Sequence, residues 1–168
     1  MTAPVPGHLN VHATGLVLGD VGLLLRGPSG AGKSLLALEL LDRYALSDKN
    51  GFLVSDDRID LALSDGAIVM HAPPAIAGLV ELRGRGIVSR PFRDQAPLHL
   101  VVDLVDDLVR MVEEDALETD LMGVTVPRCP VPRRSVVDSA HQLLLVGEAL
   151  RSLAGNKRLR LQKITLKP

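Results

Sequence analysis

Gly27-Pro28-Ser29-Gly30-Ala31-Gly32-Lys33-Ser34 has the G-x-x-x-x-G-K-[ST] spacing of a phosphate-binding loop. Its glycines let several backbone N–H groups turn into one concavity. A helix that starts at the end of the loop adds the positive end of its dipole to the same spot. Lys33 supplies a full charge for the outer phosphates, and the Ser34 hydroxyl is a hard oxygen donor suited to Mg²⁺. Phosphate contacts are therefore expected from Gly27, Ser29, Gly30, Ala31, Gly32, Lys33 and Ser34. The plain alternative is a glycine-rich turn that binds nothing.

A nucleotide-metal complex in such a loop needs a carboxylate at the end of a neighbouring strand. Asp56-Asp57 stands where one is expected, after the apolar run Gly51-Phe52-Leu53-Val54 and one helix beyond the loop. One carboxylate can orient the metal, directly or through water, and the other can accept a proton from an attacking hydroxyl. The residues alone leave open which Asp does which, and a turn cap is the alternative for either. Adjacent carboxylates repel, and a cation between them and the phosphates removes that penalty. His12 is a third candidate, since a hairpin feeding the loop places it nearby. The five histidines, at 8, 12, 71, 99 and 141, show no metal-ligand spacing. Arg83, Arg85 and Arg90 flank Gly84 and Gly86, and Arg133-Arg134 follows a proline-rich stretch. Guanidinium forks suit phosphate oxygens; a solvated basic loop is the alternative.

Positioning these groups takes a strand before the loop and a helix after it. Val21–Leu25 reads as the strand, paired across Gly19-Asp20 with strand material between Leu9 and Leu18. Ser34–Tyr44 reads as a helix apolar nearly all round, hence well buried. Ile59–Leu63 and Ala67–His71 form a hairpin across Ser64-Asp65-Gly66. Ala75–Leu79 suits one short helical turn, and Leu98–Leu104 another strand. The acidic stretch Asp106–Asp120 has room for a strand at Leu108–Val112. Pro127, Pro130 and Pro132 predict an extended loop. Asp138–Leu153 reads as an amphipathic helix with apolar positions 140, 143, 144, 146, 149, 150 and 153, stopped at Gly155. The whole predicts a single α/β domain over 1–168: a mixed sheet carrying the P-loop, flanking helices, a loose N-terminus at 1–8 and a basic tail at 156–168.

Composition narrows the classes. The 168 residues suit one domain with a core that needs no staples, and 46% of them are apolar. A net charge of -1, from 19 basic and 20 acidic residues, gives no global field for nucleic acid. Tyr44, Phe52 and Phe92 are too few for a base-stacking platform. Cys129 stands alone, so no internal disulfide is expected, and it reads as a small semi-buried residue. There is no signal-peptide pattern and no apolar run of about 18 residues. These features predict a cytoplasmic protein with no membrane span.

The order of these features resembles the catalytic domain of HPr kinase/phosphorylase. It runs from a histidine about twenty residues before the loop lysine, through the P-loop and an apolar strand ending in Asp-Asp, to Glu81-Leu82-Arg83-Gly84-Arg85-Gly86-Ile87. The match covers about Leu9–Val88, with a weaker echo at Pro132-Arg133-Arg134. The resemblance implies an ATP- and Mg²⁺-dependent serine kinase acting on HPr, the phosphocarrier of a phosphotransferase system, with phosphorolysis as a reverse reaction. It implies a fold like that of phosphoenolpyruvate carboxykinase. By position, Lys33 and Ser34 would bind phosphates and Mg²⁺, Asp56 would be the base, Asp57 would help hold the metal, and His12 would assist the paired charges. Glu81 would lie at the metal and Arg83 at the phosphates, within the signature loop that supports the reverse reaction. Homo-hexamers are implied too.

Departures from the family pattern are specific. With the P-loop beginning at Gly27, the separate N-terminal domain of full-length members is expected to be absent, and the chain looks like the truncated form found in alphaproteobacteria. Leu35 stands where Glu is common. Arg85 replaces an apolar residue between the signature glycines, and the usual Pro-Gly-Arg-Asn reads Pro132-Arg133-Arg134-Ser135. Two rival readings share the loop. A small-molecule kinase of the guanylate-kinase type would need a later Ser-, Tyr- and Arg-rich stretch, which the chain lacks. A nucleotide-binding regulator would use Asp56 and Asp57 only as turn caps.

Overall fold

The computed structural model describes residues 7–165, with side chains as far as Asn156. The chain enters as β1 (His8–Val11) and passes His12 into the hairpin β2 (Thr14–Leu18) and β3 (Val21–Arg26). The glycine-rich loop leads to α1 (Lys33–Leu46), then β4 (Gly51–Ser55) and the hairpin β5 (Ile59–Ser64) and β6 (Ala67–His71). A second hairpin, β7 (Leu79–Leu82) and β8 (Gly86–Ser89), precedes β9 (Gln95–Pro97) and β10 (Leu100–Val105). Last come β11 (Glu118–Leu121), β12 (Val124–Pro132) and α2 (Ser139–Thr165).

β3 sits inside a six-stranded mixed sheet of order β11-β12-β10-β3-β2-β4. It runs parallel to β10 and antiparallel to β2, as β10 runs parallel to β12. A strand flanked this way has both faces covered, which explains its unbroken apolar run. Leu23 and Leu25 face one core together with Leu36, Ala37, Leu40 and Leu41 of α1 and Val146 of α2. Leu24 faces a second core with Ile59, Leu61, Ile68 and Met70, under a four-stranded antiparallel sheet of order β1-β5-β6-β9. The period of two along β3 therefore assigns its neighbours to two layers. Both helices lie on one face of the mixed sheet, and the other face is covered by strands. No Cβ could be added at Gly22, because it would stand 1.8 Å from the carbonyl oxygen of Pro97. That close approach packs the two sheets together.

Several local expectations are corrected. Leu108–Val112 is not a strand; the segment is irregular and its apolar side chains are exposed, so nothing there can supply a ladder partner. Residues 124–132 are a strand, not a loop. β12 pairs with β11 over Val124–Pro127 and with β10 over Arg128–Pro132. Pro130 and Pro132 lie two apart, so their missing donors fall on one edge, where β11 no longer reaches. Helix α2 does not stop at Gly155 but continues to Thr165. Leu144 points outward and buried Gln142 inward, bonding the Pro132 carbonyl oxygen at 2.8 Å. Residues 75–79 divide between a 3-10 turn, Pro74–Ile76, and β7. His8 already belongs to β1, while residues 1–6 of the expected loose lead lie outside the described part. Cys129 is buried, and burial pushes its thiol up to about 11, which keeps it unreactive.

Under the glycine-rich loop the parallel strands are tied by charge. Asp103 on β10 accepts from Arg26 Nε at 2.7 Å and Nη2 at 2.8 Å, and from Arg128 Nε at 2.5 Å. Burial alone would raise the Asp103 pKa, but the hydrogen bonds and charges of Arg26 and Arg128 outweigh it and hold the carboxyl below its ordinary value. A depressed carboxylate pKa adds stability that is present above the unfolded-state pKa and lost as pH falls through the folded one. Asp103→Asn is expected to cost about 3 kcal/mol at neutral pH and to flatten the acid limb of stability. Urea unfolding at pH 7 and in the acid range reads both, and unchanged midpoints would count against this network.

Candidate active site

Loop and helix meet in a backbone arranged for anions. Gly30 and Gly32 hold φ of 78° and 99°, a region side chains with a Cβ rarely adopt. Gly32 occupies the N-cap of α1 in the left-handed conformation, with no side chain capping the helix. The first-turn N–H groups of α1 thus remain open toward the loop. Lys33 is buried, and its Nζ donates to the carbonyl oxygens of Gly27 at 2.9 Å and Pro28 at 3.2 Å. Burial holds its pKa below the ordinary lysine value, while the charges of Asp57 and then Asp56 oppose that shift.

β4 lies beside β2, and its end delivers the two acids. Asp56 is buried; it accepts from Thr14 Oγ1 at 2.8 Å and from Ser34 Oγ at 2.8 and 3.0 Å. Asp57 follows with φ of 65°, a left-handed conformation uncommon for a residue with a Cβ. The turn is closed by Arg58 N–H donating to the Asp56 carbonyl oxygen at 2.8 Å and by Ser55 Oγ donating to that of Arg58 at 2.5 Å. The left-handed step sends the second carboxylate away from the first. Asp57 is largely exposed and pairs with His12 Nε2 at 2.5 Å.

These groups line one cleft of about 620 Å³, bounded by His12, residues 29–35, Asp56, Asp57, Glu81–Arg83 and Arg133–Ser135. Of the residues singled out in the sequence, His12, Ser29–Ser34, Asp56, Asp57, Glu81 and Arg83 all reach it. Gly27 is not among the residues that line it; its carbonyl oxygen accepts from Lys33 Nζ. Glu81 and Arg83 arrive on the β7–β8 hairpin. Arg133 and Arg134 enter from the end of β12 and pair with Asp106 and Glu39 respectively. Arg90 does not reach the cleft; it forks Asp42 of α1 at 2.8 and 3.1 Å and anchors the hairpin. Thr14 carried no expectation, although its place two residues after His12 on a strand leading to the loop is a readable signal. Ser135 and Leu35 are further walls that residue type alone does not reveal.

Residues 6–153 match the family model for the HPr Serine kinase C-terminal domain. HPr kinase/phosphorylase 1 of Oceanobacillus iheyensis is 32% identical over 136 residues, 74% of this chain and 42% of that protein. HPr kinase/phosphorylase of Streptococcus thermophilus is 31% identical over 135 residues, 73% of this chain and 42% of that one. The chain thus spans about two fifths of these relatives, at 42%. The solved HPr(Ser) kinase/phosphatase of Coxiella burnetii matches with a TM-score of 0.66 and 26% identity, covering 92% of this chain and 99% of that one.

Proposed function

The chain belongs to the HPr serine kinase C-terminal domain family, and from that premise we propose that it transfers the γ-phosphoryl group of ATP to a serine of an HPr-like phosphocarrier protein. The observation that carries the reading is the convergence of the lysine loop and the twin acids on one cleft. Loop amides and Lys33 hold the phosphates, with Arg83 in the lining of the same cleft. Magnesium fits the donor set: the Ser34 hydroxyl and Asp56 carboxylate lie 2.8 Å apart, and Glu81 shares the cleft, all hard oxygens. Bound there, the cation would neutralise charge developing on the phosphates. Among the described residues no three His, Cys, Asp or Glu form a cage of their own, so a bound cation would draw its further oxygens from phosphate and water.

Contacts and burial favour a division of labour between the acids that reverses the one implied by resemblance. Asp56 is shut in against Ser34 and Thr14, which suits the metal side. Asp57 is open to a protein substrate and backed by His12, which suits proton acceptance from an incoming serine hydroxyl. A carrier protein cannot insert deeply, so the base must stand at the mouth. The phosphoenolpyruvate carboxykinase-like arrangement, the single-domain organisation, a cytoplasmic site and homo-oligomeric assembly belong to the same proposal. Among the described residues no helix is long and apolar enough to cross a membrane.

Mixing the chain with an HPr-like protein, ATP and Mg²⁺ tests the reading by mass spectrometry of the carrier. One phosphate on a serine is the expected product. Nucleotide binding with no phosphorylated acceptor would favour the regulator, and phosphate on a nucleoside monophosphate would favour the small-molecule kinase. Arg133, which lines the cleft and pairs with Asp106, should serve the protein more than the nucleotide. Arg133→Ala is expected to raise KM for the carrier about ten-fold and to leave KM for ATP within about two-fold. Equal losses in both would remove its partner role.

A further inference from the structure

The entry to β2 holds the two acids by alternate residues: His12 reaches Asp57 and Thr14 reaches Asp56. Thr14 is fully buried, with its hydroxyl 2.8 Å from Asp56 Oδ1. Ser34 Oγ contacts both oxygens of the same carboxylate, at 2.8 and 3.0 Å. A hydroxyl carries one proton and two lone pairs, so Ser34 can ligate a cation through a lone pair while its proton stays on Asp56. Thr14 is the second side chain that fixes Asp56. Its χ1 is restricted by β-branching, and its strand is paired on both sides, by β3 and β4.

We propose that Thr14 is a positioning residue for metal-nucleotide binding, holding the Asp56 carboxylate together with Ser34 in the orientation a cation requires. This rests on the cleft binding a Mg²⁺-nucleotide complex. Partners that orient a metal-side ligand typically contribute about 10- to 100-fold in metal affinity. Thr14→Val keeps the branched shape and removes the hydroxyl, whereas Thr14→Ser keeps the hydroxyl.

The test is binding of a fluorescent ADP analogue by the full chain as a function of Mg²⁺, with no acceptor protein present. Thr14→Val should raise the half-saturating Mg²⁺ concentration about ten-fold, and Thr14→Ser should restore it to within about two- to three-fold. In an Asp56→Asn background, Thr14→Val should add nothing further, because its route through Asp56 is gone. Melting curves separate loss of fold from loss of position, and Thr14→Ala, which also lacks the hydroxyl and should show the same rise, carries the test if Thr14→Val does not fold. An unchanged Mg²⁺ dependence in folded Thr14→Val, or an equal effect in the Asp56→Asn background, would overturn the proposal. If the unmodified protein binds nucleotide without any Mg²⁺ dependence, the underlying site reading fails instead.

Discussion

Lys33→Ala is expected to abolish phosphotransfer, with a loss of about 10³-fold or more. Lys33 is the one full positive charge within the glycine-rich loop, and it is buried, so water cannot replace it. Neighbouring arginines do not substitute well, since Arg133 and Arg134 already face Asp106 and Glu39. The lysine's present bonds to the carbonyl oxygens of Gly27 and Pro28 keep its ammonium at the loop mouth. They also compete with an arriving phosphate, which must draw the ammonium away. Initial rates of carrier phosphorylation read the loss, and a melting temperature near that of the unmodified chain shows that the fold survived. Retained activity would remove the loop from the chemistry.

Asp57→Asn is the second large effect. Turnover should fall about 10²- to 10⁴-fold, the scale of a lost general base, while Mg²⁺-dependent nucleotide binding stays within a few-fold. Asn tolerates the left-handed backbone at this position, where φ is 65°, so the turn is preserved. Asp56→Asn should do the converse: the Mg²⁺ requirement rises and nucleotide binding weakens. The paired experiment discriminates because the acids differ in surroundings, one enclosed by Thr14 and Ser34 and the other open beside His12. If Asp56→Asn removes turnover and spares binding, the base is Asp56 and the assignment argued from burial is inverted.

Much of this site is legible in one sequence because its parts are local. Loop spacing, the apolar strand before it and the helix after it are consecutive, and each has a short-range physical signature. The twin acids could be read because they end a strand one helix later. The hairpin through Asp65-Gly66 was equally plain, with Ser64 paired to Ala67. What escaped is set by distant partners. Pro127, Pro130 and Pro132 look like breakers until the strands on either side of β12 are known. Thr14 has only its place after His12 as a signal, because its role depends on a carboxylate 42 residues away. Arg90 and Arg83 look alike in sequence, yet Asp42 claims one of them and the cleft the other. Gly155 fails as a stop because a single glycine only weakens a helix. The fold's layering was half visible: alternation along β3 implies two covered faces, but not that strands cover one and helices the other.

A crystal structure with a non-hydrolysable ATP analogue and Mg²⁺ addresses the central claim most directly. The account predicts a terminal phosphate bonded by Lys33 Nζ and the loop amides, a cation reached by Ser34 with Asp56 beside it, and Asp57 across the remaining gap with space for a serine hydroxyl. A nucleotide whose phosphates lie outside the loop, or whose terminal phosphate faces away from both acids, would contradict it.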